Sequence, residues 1–182
     1  MSYQDLHTVI VEVAGEQDAK IDTSTHGDLA HVQVQHGPAW VTCRSVETVA
    51  CHAYAWATAQ NEATGYLPEH LPAKKTTTRR DVAAVIIRQH GYIHPLVYQS
   101  MTSRDRNTEV EDRYLEVIVG ALRTRVYDLT AARTLNQLWA RAVWTAKALW
   151  ADNPQIDRVQ VGKLLHTRGL PAIAQEGLPP AP

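Results

Sequence analysis

The fold is decided by a stretch of the chain that occurs twice in related form. Residues 31–60 read HVQVQHGPAWVTCRSVETVACHAYAWATAQ, and residues 114–143 read YLEVIVGALRTRVYDLTAARTLNQLWARAV. The two segments align without a gap at an offset of 83, where chance would give roughly two identities. The five identical pairs are Val34 and Val117, Gly37 and Gly120, Trp56 and Trp139, Ala57 and Ala140, and Ala59 and Ala142. This register predicts an internal repeat.

The kind of residue that is matched supports the repeat. Gly37 and Gly120 both lie between two alternating apolar runs, where a tight turn needs a positive φ. Ser45 and Asp128 both stand just before a helical pattern, where an N-cap is needed. Upstream, the β-branched run at 9–11 matches the run at 85–87 at an offset of 76.

Each copy is predicted to contain four strands followed by a helix. In the first copy the strands are expected at His7–Ala14, Ala19–Ser24, Leu29–Gln35 and Ala39–Arg44, with a helix from Ser45 to about Ala63. In the second they are expected at Val82–Gln89, Leu96–Ser100, Tyr114–Val119 and Leu122–Tyr127, with a helix over Thr130–Ala151. Taken alone, Asp81–Gln89 could also form a helix capped by Thr78, but the repeat favours a strand.

The predicted fold class is α+β, with two tandem ββββα repeats at 1–63 and 81–151. Each repeat is expected to form a four-stranded antiparallel sheet covered by one helix. Because a lone copy of about 60 residues would be only marginally stable, the two should pack as a pseudo-dimer. Residues 64–80 are expected to be a linker, and 152–182 a short helix near 155–166 followed by a mobile proline-rich tail.

This element order, over about residues 6–151, resembles the plan of the Whirly and PUR-type single-stranded nucleic-acid-binding proteins. The resemblance is one of element order and not of sequence. No motif of either family occurs in these residues, so no binding residue is carried over from it.

Composition indicates a water-soluble globular protein. The chain has 182 residues, 45% hydrophobic and 20% charged, with a net charge of -1. It has no apolar run of membrane-spanning length and no secretory signal pattern at its start, and Cys43 and Cys51 make no disulfide framework. The expected location is the cytoplasm, without membrane contact.

Strand alternation predicts a candidate binding face in the second copy. The side chains expected to point away from the helix there are Tyr114, Glu116, Ile118, Arg123, Arg125 and Tyr127, with Arg88 on the first strand. Aromatic rings beside arginines on an open sheet are typical of sequence-tolerant single-strand binders, since bases stack on rings while guanidiniums follow the backbone. The outward residues expected in the first copy are His31, Gln33, Gln35, Trp40, Thr42 and Arg44. The alternative is that Trp40, Ile118 and Tyr127 are buried between the sheets or at an oligomer interface.

Charge is divided unevenly between the copies. Residues 1–63 carry two basic and eight acidic groups, whereas 81–151 carry nine basic and seven acidic groups. A polyanion should therefore favour the second copy and be repelled by the first. It should also favour a cluster of basic residues in the linker, unless those side chains are only solvated and make no contact. The cluster consists of Lys74, Lys75, Arg79 and Arg80.

No catalytic motif emerges from the sequence. The i, i+4 pair His90 and His94 is flanked by Gly91 and Pro95, which disfavour the helix that a metal site would need. We therefore expect a non-enzymatic module with no metal and no cofactor, which binds single-stranded DNA or RNA. The alternative is a protein-interaction module, an adaptor or inhibitor that uses the open sheets or the acidic first copy. A homo-oligomer is compatible with either function.

Overall fold

The computed structural model describes residues 8–26, 29–71, 85–101 and 113–150, and it is α+β. The first repeat contains β1 (Val9–Val13), β2 (Ala19–His26), β3 (Leu29–His36), β4 (Ala39–Cys43) and α1 (Val46–Ala63). The second contains β5 (Val85–Gln89), β6 (Leu96–Met101), β7 (Arg113–Val119), β8 (Leu122–Val126) and α2 (Leu129–Leu149). This order confirms the ββββα layout. Residues 72–80 of the predicted linker and the predicted C-terminal helix and tail lie outside the described residues.

The eight strands form two four-stranded sheets that exchange their first strands. Sheet 1 has the order β2-β3-β4-β5, and sheet 2 has the order β1-β8-β7-β6. The strands β1 and β5 therefore each join the sheet of the other repeat, and both exchanged pairs, β1–β8 and β4–β5, are parallel. The prediction of an antiparallel sheet built from one repeat alone is wrong. Alternation within a strand specifies which face is buried, but it does not specify which neighbour the strand pairs with.

The helices are exchanged as well. Helix α1 packs on β6 and β7, helix α2 packs on β2 and β3, and the two helices pack on each other. The predicted burial of Trp56 and Trp139 is confirmed, since both are fully buried. The prediction that they pack on their own sheets is wrong, because each helix covers the sheet of the other repeat. This arrangement joins two small apolar layers into one core, which is the more stable outcome for copies of this size.

The predicted turn glycines and N-cap residues of both repeats are confirmed. Gly37 and Gly120 have φ values of 58° and 60° in the β3–β4 and β7–β8 turns. Ser45 and Asp128 are the N-caps of α1 and α2. Both caps therefore accept hydrogen bonds from the first turn of their helix, as the sequence indicated.

The two caps also hold the exchanged strands in place. The Asp128 carboxylate accepts a hydrogen bond of 2.7 Å from the backbone N–H of Gly15, just beyond β1. The Ser45 hydroxyl accepts one of 3.1 Å from the N–H of Gly91, just beyond β5. Gly15 and Gly91 are matching positions of the repeat, so the same contact occurs twice. The N-terminus of each helix is thereby hydrogen-bonded to the end of the exchanged strand from the other repeat.

The centre of the core contains a buried histidine whose ring is fully hydrogen-bonded. The indole N–H of Trp139 donates to Nδ1 of His36 at 3.1 Å. Since Nδ1 accepts, the proton of the neutral ring is on Nε2, which donates to the Thr124 hydroxyl at 2.9 Å. Burial lowers the pKa of His36 to about 3. The imidazole is therefore neutral, and it joins β3, α2 and β8.

A second buried histidine packs against the ring face of the same tryptophan. The ring of His52 stacks on Trp139 with centroids 4.0 Å apart. Its Nε2–H donates to the side-chain carbonyl of Gln89 at 2.6 Å, and the Gln89 amide donates to the backbone carbonyl of Val119. Burial lowers the pKa of His52 to about 4, so this ring is neutral too. Neither helix of the described residues combines the length and the apolar character that a membrane crossing requires.

Candidate functional site

Each sheet has an outer face that no other described element covers, because both helices lie on the inner faces. On sheet 2 the strand register aligns outward side chains in rows that cross all four strands. One row consists of Ile10, Arg123, Ile118 and Leu96. The next consists of Glu12, Arg125, Glu116 and Tyr98.

The structure brings four of the predicted site residues together on this face. The rings of Tyr114 and Tyr127 have centroids 5.6 Å apart, and the Arg125 guanidinium lies 5.3 Å from the centroid of Tyr114. Arg123 lies on the same strand as Arg125, two residues earlier in the chain. The predicted association of tyrosines with arginines on one sheet face is therefore present in the geometry.

The charge of these arginines is compensated by two carboxylates. The buried Glu116 Oε1 lies 3.6 Å from Nε of Arg123 and 3.5 Å from Nε of Arg125. Glu12 lies 3.5 Å from Arg125 Nη1 and accepts a hydrogen bond from the Tyr127 hydroxyl. Two cations thus face two anions. Sequence alternation placed Glu116 on this face but did not reveal its ion pairs, and Glu12 was not assigned to this face because it comes from the other repeat.

Two tyrosine hydroxyls of this face, those of Tyr98 and Tyr127, are also hydrogen-bonded to the carboxylates. The Tyr98 hydroxyl donates a hydrogen bond to Glu116, and this bond raises the pKa of Tyr98. Burial, followed by the nearby Glu12 carboxylate, raises the pKa of Tyr127 to about 12. Ion pairs and tyrosine hydroxyls therefore engage both carboxylates of the face, whereas the buried Nε atoms of Arg123 and Arg125 form no hydrogen bond within the described part of the chain.

Arg88, the remaining described residue of the predicted site, lies on the other sheet. Because β5 is exchanged, Arg88 pairs with Thr42 of β4 and is exposed on the outer face of sheet 1. Its counterpart in the first repeat, at the offset of 76, is Glu12, which lies in sheet 2. Strand exchange thus moves a carboxylate to one face and a guanidinium to the other. The linker residues Lys74, Lys75, Arg79 and Arg80 lie outside the described residues.

The outer face of sheet 1 combines polar, aromatic and basic side chains. One row across the sheet consists of Lys20, Gln35, Trp40 and Ile86, and the next consists of Asp22, Gln33, Thr42 and Arg88. The same alternation continues to the exposed Arg44 just after β4. Trp40 is half-buried at the centre of the face, and the Lys20 ammonium lies 5.6 Å from the centroid of its ring.

The charge on this face is less compensated than on sheet 2. Asp22 is the single carboxylate in these rows of described residues, and it pairs with Lys20 at 3.1 Å. Neither Arg44 nor Arg88 forms an ion pair within the described part of the chain. Two guanidiniums without a carboxylate partner among the described residues therefore lie on the same face as Trp40. The overall acidity of the first repeat does not extend to this surface.

The groups that could support catalysis are buried or isolated. Cys43 and Cys51 are both buried, and burial raises the pKa of each thiol, which keeps it protonated. His52, next to Cys51 in sequence, is bound to Gln89. Among the residues that the structure describes, no group of three histidine, cysteine or acidic side chains could hold a metal ion.

No family model, no curated protein and no solved structure matches this chain.

Proposed function

We propose that this protein is a non-enzymatic module that binds single-stranded nucleic acid on the outer face of sheet 1. The observation that carries this proposal is the strand exchange that places Arg88, and not Glu12, beside the Trp40 face. Arg88 and Arg44 would contact phosphates, and the Trp40 ring would stack on a base. Stacking of this kind contributes roughly 1 to 3 kcal/mol per base.

The amides of this face fit an unpaired strand better than a duplex. Gln33 and Gln35 flank Trp40 and Thr42 across the β3–β4 pair, so amide donors and acceptors lie beside the ring. A base can reach the ring only when it is not paired within a helix. With one ring and short polar neighbours, we expect little preference for base sequence. The element order shared with Whirly and PUR-type proteins also supports binding on an open sheet.

The tyrosine and arginine face of sheet 2 is a weaker candidate for the same ligand. Its two guanidiniums already face Glu116 and Glu12, so a phosphate would have to displace or approach carboxylates. A polyanion gains affinity from cations whose charge is not already neutralised. For this reason we place the binding site on sheet 1, although the sequence favoured the second repeat.

The test is fluorescence anisotropy of a labelled single-stranded oligonucleotide of about 20 nucleotides over a range of salt concentrations. We expect affinity to fall as salt rises. Changing Arg44 and Arg88 together to Ala should weaken binding and reduce the slope of log affinity against log salt by up to roughly 1.4, since each phosphate contact on a single strand contributes about 0.7. Trp40→Ala should weaken binding with little change in that slope.

The matched control is the double change of Arg123 and Arg125 to Ala on the opposite sheet, which should leave both affinity and salt slope close to those of the unmodified protein. If only this control loses binding, the site belongs to sheet 2. An absence of binding at low salt would reject the nucleic-acid proposal altogether.

A protein-interaction function has one observation in its favour. The first row of sheet 2 ends in two exposed aliphatic side chains, Ile10 and Leu96. Exposed apolar groups beside tyrosines and paired arginines are typical of protein interfaces.

A further inference from the structure

We propose that the outer face of sheet 2 binds a second copy of this chain, face to face around a two-fold axis. This inference goes beyond nucleic-acid binding, and it concerns the opposite surface of the molecule. Its basis is a combination of exposed apolar side chains with charges that complement those of an identical surface.

The apolar part of the surface lies on both edge strands and on β7, and Arg123 of β8 interrupts it between Ile10 and Ile118. Ile10 is 51% exposed on the edge strand β1, and Leu96 is 48% exposed on the opposite edge strand β6. Ile118, which is half-buried on β7, lies between them in the same row. Sheets that pack face to face bury such rows against each other, and burial of aliphatic side chains supplies the free energy of association.

The charged part of the surface indicates which partner fits. The described residues of the face include two guanidiniums and two carboxylates, which carry equal and opposite charge. In a two-fold interface each contact occurs twice with the roles of the copies reversed. A surface that contains both signs in equal number can therefore satisfy itself.

Glu12 and Arg123 are the two groups best placed to pair between copies. The Glu12 side chain is 57% exposed and the Arg123 side chain is 36% exposed, whereas Glu116 is almost fully buried beneath the arginines. Glu12 and Arg123 lie on the adjacent strands β1 and β8, two residues out of register. In the dimer, we assign an ion pair between Glu12 of each copy and Arg123 of the other, with the aliphatic side chains of the two faces packed against each other.

The repeat supplies a matched control for the apolar contact. Ile10 and Ile86 occupy the same position of the two repeats and are 51% and 58% exposed, but strand exchange puts them on opposite sheets. A change of either residue to Asp carries the same cost in strand propensity and the same added charge. Only the change on sheet 2 should affect association.

The first experiment is sedimentation equilibrium of the full chain at increasing concentration. We expect a monomer–dimer equilibrium, loss of the dimer in Ile10→Asp and its retention in Ile86→Asp, with circular dichroism to verify that both variants are folded. A chain that stays monomeric up to millimolar concentration overturns the proposal. Equal effects of the two substitutions also overturn it.

The second experiment tests the charge pairing between copies and does not depend on Ile10. Glu12→Arg alone and Arg123→Glu alone should each weaken self-association by about 100-fold, since like charges then face each other twice. An equimolar mixture of the two variants should restore the dimer, because every contact then again joins opposite charges. An effect within one chain cannot produce this recovery, so a mixture that remains monomeric overturns the assigned contact and the proposed face. Oligonucleotide binding by sheet 1 should be retained in Ile10→Asp, Glu12→Arg and Arg123→Glu, which all change residues of sheet 2, and this separates the test from that of the proposed function.

Discussion

Two buried, neutral histidines make the stability of this protein depend on pH. His36 and His52 both contact Trp139, and each uses Nε2–H as a donor to a side chain on a strand of the second repeat. A proton added to either ring would create a buried cation and, in His36, would remove the acceptor for the Trp139 indole. The folded state therefore excludes protons that the unfolded chain binds readily.

Acid should destabilise the protein through these two residues. Above pH 6.5 both imidazoles are neutral in the folded and the unfolded chain, so they add no pH dependence. Below pH 6.5 the unfolded chain binds protons while the folded pKa values stay near 3 and 4, so stability is lost as pH falls toward about 4. Each histidine contributes up to about 1.4 kcal/mol of lost stability per pH unit in that window.

Urea unfolding at a series of pH values between about 7.5 and 4.5 measures this slope. His36→Gln retains a donor and an acceptor but not the titration, so it should remove about half of the pH dependence contributed by the pair. Val34→Ala, at a buried position of the same strand without a titratable group, is the control and should lower stability without changing the slope. An unchanged slope in His36→Gln would show that other groups control acid stability.

At the scale of elements, the helix caps accept more hydrogen bonds than caps usually do. Besides the N–H of Ala131 in its own helix, the Asp128 carboxylate accepts the N–H groups of Gly15 and Leu71. It is fully buried, so its loss would leave three donors without a partner. One side chain thus joins α2 to the end of β1 and to the segment after α1.

Asp128→Ala should therefore cost about 2 to 3 kcal/mol, more than the roughly 1 kcal/mol of an ordinary cap. Denaturant unfolding measures the loss, and amide hydrogen exchange at Gly15 locates it, since that N–H should exchange faster in the variant. Ser45→Ala provides the comparison, with a smaller loss because the Ser45 hydroxyl accepts two N–H groups. A loss near 1 kcal/mol with unchanged exchange at Gly15 would mean that the cap does not hold the strand.

Elements of this kind are the part of the fold that the sequence predicts well. Alternation predicted the strands, the 3.6-residue period predicted both helices, and Gly37 and Gly120 predicted the turns, because all of these depend on neighbours in sequence. The partner of β1 could not be predicted, because its apolar pattern suits either sheet. That single choice decides where Glu12 and Arg88 lie, so the candidate site was only partly predictable. The pairing of Glu116 with both arginines likewise depends on contacts between strands.

At the scale of the whole molecule, the two repeats form one interlocked unit. Each sheet contains a strand of the other repeat, and each helix covers the other sheet. Neither repeat alone retains a complete sheet with a helix over it. Folding should therefore be cooperative across both repeats, unlike that of two independent domains joined by a linker.

A cut between the repeats tests this interlocking. Fragments 1–77 and 78–182, produced separately, should each lack a cooperative unfolding transition, because the inner face of each sheet would be left uncovered. Mixed or co-expressed, they should form a one-to-one complex that unfolds as a unit. The measurement is thermal unfolding followed by circular dichroism, and a cooperative transition in fragment 1–77 alone would contradict the interlocked arrangement.

The exchange of β1 also has a consequence for the order in which the protein is synthesised. Val9 pairs with Leu122, so β1 leaves the ribosome more than 100 residues before β8, the strand with which it pairs. Sheet 1 meanwhile presents the open edge of β4 until residues 85–89 have been made. Unpaired strand edges are the usual starting points of aggregation. A pause in translation before residue 122 would therefore hold the nascent chain in its most aggregation-prone form, and rapid elongation through the second repeat favours the native protein.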